Sequence, residues 1–283
     1  MAYPVIIRFS SFLKAFSVLL LFILLLWMTG CEKPKASRHL RTETIQIDSL
    51  KQIVLVDSVL VRPLLYTHVS GLDRVPTREA KARFISAVLP SILVAKYKIE
   101  QNRKRLEGLR IKTEWDGADS TFMIDMRKRY KAKNTEELLY RMGTLPNSIV
   151  LAQAAIESAW GQSRFFLEGS NLFGVWSYNP YEPRIAAART RTNRKRIYLR
   201  AYPDMSESIT HYFEILSKAN AYRTLRKARL ETSDPFKLLP HLQNFSERRT
   251  FYTNQLKKVI IRDNLTQYDQ HQIDPRYFVE ELE

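Results

Sequence analysis

The 283-residue sequence holds one cysteine, Cys31, and five scattered histidines. An intrachain disulfide is therefore excluded, and no Cys/His cluster has metal-ligand spacing, so neither a metal nor another cofactor is expected. No internal repeat is found. Acidic residues are scarce: 29 Asp and Glu stand against 45 Lys and Arg, a formal charge of +16. The apolar run Ala15–Met28, interrupted only by Ser17, is shorter than the ~20 residues that a membrane-spanning helix needs.

That run is read as part of a targeting segment. Arg8 and Lys14 give it a basic n-region, and Met28-Thr29-Gly30-Cys31 forms a lipobox, with Met28 where Leu is usual. Residues 1–31 are predicted to be a lipoprotein signal peptide with Cys31 as the acylation site. An ordinary signal peptide and a retained helix are the alternatives. Glu32 stands where an Asp would favour inner-membrane retention, which predicts an outer-membrane anchor at the cell envelope. Without residues 1–31, 43 basic residues still face 29 acidic ones. Such a surface suits a polyanionic partner. Export disfavours nucleic acid and leaves anionic lipid headgroups or an acidic cell-wall polymer.

The stretch Leu145–Tyr178, LPNSIVLAQAAIESAWGQSRFFLEGSNLFGVWSY, is the richest in chemistry. Pro146 fits the first helical position, where its missing N–H costs nothing. Ile149–Trp160 is apolar or small almost throughout, which predicts a helix buried on nearly all sides. Gln153, Glu157 and Ser158 are the polar exceptions. Gln153 and Glu157 lie four residues apart and share a face with Val150, Ala154 and Trp160. A carboxylate in that setting is costly to ionise, so its pKa should rise, which suits a proton donor near neutral pH. Gly161 is expected to end the helix. A lone Glu can equally cap a neighbouring helix or pair with an arginine, so periodicity alone leaves both readings of Glu157 open.

The same residues carry a resemblance. QAAIESAWGQSRF followed by GSNLFGVW resembles the glucosaminidase family of bacterial cell-wall hydrolases, glycoside hydrolase family 73. The Bax-type branch is the nearer likeness and FlgJ-type enzymes the more distant one. Gln153, Ala154, Ala155, Glu157, Ser158, Trp160, Gly161 and Ser163 match, then Asn171-Leu172-Phe173-Gly174, and the likeness runs from about 80 to about 264. It implies a mainly α, lysozyme-like α+β domain with a small β-hairpin beside the cleft. The implied reaction is hydrolysis of the β-1,4 bond after N-acetylglucosamine in peptidoglycan, with Glu157 as general acid. Candidate substrate-binding residues are then Gln153, Ser158, Trp160, Asn171, Phe173, Trp176, Tyr178 and Tyr252. Among them Trp160, Phe173, Trp176 and Tyr178 would line sugar subsites.

A second catalytic group is less plain. A retaining glycosidase places a second carboxylate roughly 5 Å away, and an inverting one about 6.5–9.5 Å away. Relatives often carry an acid in the hairpin, where this sequence offers Arg or Lys. Glu182 is the one acid between Asn171 and Arg200; it is a candidate base or simply an arginine's partner. A third route, slightly preferred, uses the substrate's N-acetyl oxygen as internal nucleophile. Asn244–Tyr252 matches another family landmark, with Phe245 where relatives commonly place a tyrosine thought to position substrate or water. Tyr252 matches the second aromatic, and a core role competes with a catalytic one.

The expected organisation is a signal peptide over 1–31, a tether and lead-in over 32–76, a glucosaminidase-like domain over 77–264 and a peripheral tail over 265–283. Residues 32–42 read as a charged spacer, and Ile45–Leu65 as an extended piece against the domain. Helices are predicted over 78–109, with a kink or break at Pro90, then over Asp119–Tyr130 and Thr135–Tyr140. A hairpin with its tip at Thr192-Asn193 follows, then helices after Asp204 and at Asp234-Pro235. The last helix is expected from Ser246-Glu247, burying Phe251, Leu256, Val259 and Ile260. Arg184–Arg200 holds seven basic residues and no acid, either solvated surface or a cationic cleft wall. His211 and Tyr212 are candidate cleft residues, though a His on a polar face is more often simply solvated. Three functions fit: a lipid-anchored glucosaminidase acting on glycan strands as a monomer, a non-catalytic peptidoglycan-binding lipoprotein on the same fold, or a lytic transglycosylase. Asn171-Leu172-Phe173-Gly174 counts against the last.

Overall fold

The computed structural model describes residues 38–187 and 196–280. The signal segment, Cys31 and the hairpin tip lie outside them. Residues 38–39 and 279–280 belong to a small unit of their own, in which Arg38 Nη2 meets Glu280 Oε1 at 3.0 Å. The larger unit spans 40–278 and has the expected mainly helical architecture with a small hairpin. Among the described residues no helix is long and apolar enough to cross a membrane.

After β1 (Arg38–Leu40) come β2 (Glu43–Gln46), β3 (Leu60–Val61), β4 (Leu64–Thr67) and the long α1 (Thr77–Ile111). Then follow α2 (Gly117–Tyr130), α3 (Thr135–Arg141), α4 (Asn147–Glu157) and α5 (Arg164–Gly169). The hairpin is β5 (Arg184–Ala186) with β6 (Tyr198–Arg200), antiparallel, Ile185 opposite Leu199. The chain closes with α6 (Met205–Lys218), α7 (Arg223–Glu231), α8 (Pro235–Leu238), α9 (Thr250–Arg262), β7 (Gln272–Ile273) and β8 (Phe278–Glu280). Helix starts follow the sequence. Asp116, Asn134, Ser163, Asp204 and Asp234 each accept a first-turn N–H through the side chain, satisfying donors that a helix start leaves open.

α1 is the axis of the core. Every residue from Phe84 to Ala95 is buried, so its middle is apolar all round rather than along one stripe. It packs against α4, α6 and β4. The helix runs through Pro90 without a break. The ring removes one N–H bond, and burial on all sides keeps the helix together.

Two expectations about the flanks are corrected. Residues 43–72 are no mere lead-in. β2 lies parallel to β4, β3 lies parallel to β7, and Ile47, Ile53, Val61, Leu64, Tyr66, Val69 and Leu72 enter the core. The Tyr66 hydroxyl accepts from Val54 N–H at 3.0 Å, and Arg83 Nη1 donates to Leu50 O at 2.6 Å. Residues 265–274 are likewise not peripheral. Leu265 is fully buried, and the Asp269 carboxylate accepts from Ser148 N–H at 2.7 Å and from its hydroxyl at 2.8 Å. The start of α4 therefore rests on a residue from beyond the last helix.

Candidate active site

α4 is buried as its composition predicts: Asn147 to Ala155 are all inaccessible, and Pro146 sits one position before the helix as its cap. The helix ends at Glu157, earlier than Gly161, because the chain turns left-handed. Ala159, Trp160 and Gly161 have φ of 51°, 55° and 79°. Two non-glycine residues there cost roughly 1–2 kcal/mol each, and Ser158 holds the turn against that cost. Its hydroxyl donates to Ala154 O at 2.6 Å and accepts from Gly161 N–H at 2.9 Å. Its carbonyl accepts from Gln162 and Ser163 N–H, at 3.0 and 2.9 Å. Ser158 is fully buried and thus has no surface to offer a sugar. Its assignment as a binding residue is corrected to a clasp that fixes the end of α4.

Gly161 is needed for conformation and for space. A Cβ there would stand 2.7 Å from Leu72 Cδ1 and 3.0 Å from Phe84 Cδ2. Gly161→Ala is expected to destabilise the protein by about 2–4 kcal/mol, combining left-handed strain with overpacking. Equilibrium urea unfolding checks this, and a loss below ~1 kcal/mol would contradict the tight turn.

Glu157 emerges half-buried at the last position of α4. Burial raises its pKa, opposed by a hydrogen bond from the Tyr252 hydroxyl and by the Arg248 charge. Behind it runs a directed chain. Tyr212 Oη donates to Gln153 Oε1 at 2.5 Å, and Gln153 Nε2 donates to Tyr252 Oη at 3.1 Å. With its oxygen taken by that amide, the Tyr252 hydroxyl keeps its proton for the neighbouring Glu157, on whose titration it acts. Phe173 stacks on Tyr212 with centroids 4.2 Å apart, and Phe245 stacks on Tyr252 at 5.7 Å. Gln153, Tyr212 and Tyr252 are all buried to within 1%. Gln153, Phe173 and Tyr252 are therefore corrected from substrate contacts to supports of Glu157 and its surroundings. Arg248 is not singled out by the sequence, and Tyr212, a candidate cleft residue there, is buried in the core. A buried tyrosine needs a partner for its hydroxyl, and Gln153 is the amide buried in the same core.

Asn171 is also structural. Nδ2 donates to Val175 O and Arg200 O at 3.0 and 2.8 Å, and Oδ1 accepts from Val175 N–H at 3.0 Å. With Gly174 at φ 64°, this explains the Asn-x-x-Gly spacing: a turn stapled to β6. Beyond it Trp176 bridges to Leu199, and Ser177 N–H donates to Tyr198 O at 2.8 Å. Alternation then puts Trp176 and Tyr178 on the face opposite buried Ser177. They are 52% and 83% exposed, with ring centroids 6.2 Å apart. These two rings, together with exposed Tyr181, can stack on sugars. Trp160 differs. It is half-buried, edge-on to Phe84 at 5.4 Å, with Lys81 Nζ 4.8 Å above its ring, and it lines a separate recess with Leu72 and Asp73.

Glu182 Oε2 lies 3.4 Å from Arg200 Nη2, the pairing weighed against a base role. Arg200 Nη1 is 3.4 Å from His211 Nδ1, which is hydrogen-bonded with the Tyr202 hydroxyl at 2.8 Å. His211 is thus not solvated. Burial, then the Arg200 and Lys218 charges, pull it down to about 4, so the ring is neutral. Phe251 is corrected too. α9 starts at Thr250, after Arg249 at φ 49°, and leaves Phe251 65% exposed beneath Arg248.

The family model for glucosaminidase, described as mannosyl-glycoprotein endo-beta-N-acetylglucosaminidase, matches residues 132–265. Protein bax of Escherichia coli (strain K12) is 27% identical over 211 residues, covering 69% of this chain and 71% of the relative. Residues 132–265 are thus similar to the glucosaminidase family, and the chain is similar over most of its length to a Bax protein. The chain is also similar to the catalytic domain of the autolysin Auto from Listeria monocytogenes. That match has 24% identity and a TM-score of 0.38, over 60% of this chain and 97% of the other. The glycoside hydrolase domain of FlgJ from Salmonella typhimurium matches with 22% identity and a TM-score of 0.35, over 50% and 89%. The glucosaminidase match begins well after β2–β4 and α1, so the core of this chain includes segments outside the matched residues.

Proposed function

We propose that the protein is a peptidoglycan hydrolase of the cell envelope that cleaves the β-1,4 bond after N-acetylglucosamine, with Glu157 as general acid. The observation that carries this reading is the setting of Glu157. Burial keeps the carboxyl protonated to higher pH, and the buried Tyr252 hydroxyl, itself held by Gln153, is the neighbour that opposes that rise. The family description supports a β-N-acetylglucosaminide as the bond. The expected export signal and the basic surface support a cell-wall polymer as the substrate, with Cys31 as the lipid anchor to an outer membrane.

In this reading Glu157 protonates the glycosidic oxygen as the bond to C1 breaks. The substrate's acetamido oxygen closes on C1, and water then opens that ring with the Glu157 carboxylate taking its proton. The Glu182–Arg200 pair supports this route, since it occupies the one hairpin acid. Trp176 and Tyr178 serve as stacking platforms for sugar rings. Purified peptidoglycan digested with the protein should yield reducing ends at N-acetylglucosamine by mass spectrometry. Glu182→Gln should retain at least a tenth of the wild-type rate. Anhydro-muropeptides would instead identify a transglycosylase. Retention on the polymer without cleavage would favour the binding reading, which the engaged Glu182 and the missing Phe245 hydroxyl also suit.

A further inference from the structure

The start of α4, about 15 Å along the helix from Glu157, borders a second recess. It has a volume of about 260 Å³, and its walls include Lys96, Thr144, Arg229, Thr232, Ser233 and Asp269. Two of these side chains are cations, and the charge of one acid, Asp269, acts on Lys96. Lys96 Nζ donates to Asn147 Oδ1 at 2.5 Å. Arg229 donates through Nη1 to Gly143 O at 3.0 Å and through Nη2 to the carbonyls of Tyr140 and Arg141. Among the described residues neither forms an ion pair within 4.0 Å. Asp269 is the acid on the wall, and both of its oxygens are taken by Ser148.

Two cations and one acid leave the recess with a formal excess of one positive charge. Desolvation is the largest influence on each cation, pulling Lys96 down to about 8 and Arg229 to about 10. A buried charge held at that cost is relieved by a counter-ion. The Thr144, Thr232 and Ser233 hydroxyls add neutral donors. The helix start itself is not the attraction, because Asp269 already caps it. The formal excess of positive charge in the recess is what selects for an anion.

We propose that this recess binds a small oxyanion of the phosphate class, held between Lys96 and Arg229 with hydroxyls of the wall as further donors. The site touches α4 through Asn147 and, by way of Asp269, through Ser148, the first two residues of the helix that ends in Glu157. It stands independently of the reaction proposed above.

The test is titration of the purified full chain with inorganic phosphate, and separately with glycerol phosphate, at constant ionic strength with chloride as control. Calorimetry should give saturable binding at one site, and the Tm should rise with ligand concentration as mass action requires. Tighter binding of the ester would assign the site to a phosphorylated molecule, and equal binding to free phosphate. Lys96→Gln, which keeps an amide for Asn147, should weaken binding at least tenfold. Ser233→Glu supplies a tethered carboxylate, and should raise the Tm in phosphate-free buffer while abolishing the phosphate response. That gain cannot come from misfolding. A phosphate response no larger than that of chloride, or one unchanged in both variants, would overturn the site.

Discussion

Replacing Glu157 with glutamine is expected to lower glycan cleavage by roughly 10²–10⁴-fold, the usual worth of a positioned general acid, while raising stability at neutral pH. Glutamine preserves the size of the side chain and an oxygen to accept from Tyr252, but it cannot deliver a proton. The stability gain follows from linkage. Burial raises the folded-state pKa of Glu157 above its ordinary 4.5. The stability tied to its protonated form is therefore fully present below pH 4.5 and is lost as pH rises through the raised value. At neutral pH the ionised carboxylate is a burden that glutamine removes. Thermal unfolding at pH 7.5 should thus give a higher Tm for the variant, with the difference closing below about pH 4. In the wild type the same titration sets the alkaline limb of activity, since only the protonated acid can donate. Release of reducing ends, measured beside the thermal scans, checks both halves. Undiminished cleavage by the variant would remove Glu157 from the reaction.

The parts of this site that are legible in the sequence are those governed by short-range periodicity. Gln153 and Glu157 share a face because four residues make about one helical turn, and the burial of α4 follows from its side chains. The caps at Asp204 and Asp234 are read as easily, because each bond closes within three positions. What the sequence conceals depends on contacts between distant segments. β2 pairs with β4, and β3 with β7, across separations of about twenty and about two hundred residues, and strands this short have no pattern of their own. Ser158 and Trp160 look like site residues because they adjoin Glu157. The left-handed turn that withdraws them is set by Ser158's own hydrogen bonds, and helical phase cannot anticipate it. Phe251 fails for a related reason: a helix that begins three residues late presents another face. Cleft and support are likewise indistinguishable in sequence, because a buried Gln and a sugar-binding Gln are the same residue type in the same motif.

That distinction makes Gln153 the most informative position after Glu157. Gln153→Leu is expected to destabilise the protein by about 2–5 kcal/mol, because two buried tyrosine hydroxyls each lose a partner at ~1–3 kcal/mol apiece. Leucine fills nearly the same volume, so little of the loss would come from a cavity. The Tm should drop by roughly 5–15 °C for a domain of this size. The effect on catalysis is more specific. Gln153 fixes the direction of the chain, since its amide N–H occupies the Tyr252 oxygen and leaves that hydroxyl's proton for Glu157. Without it Tyr252 can turn away, Glu157 loses a bond that favours its ionised form, and its pKa moves further up. The alkaline limb of kcat should shift to higher pH while kcat itself falls. KM should hold, because Gln153 is fully buried and cannot touch the glycan. Tyr252→Phe should move the limb in the same direction with a smaller loss of stability, as it strands one amide donor instead of two hydroxyls. A rise in KM alone, with kcat and its pH limb unmoved, would return Gln153 to the substrate and break the chain from Tyr212 to Glu157.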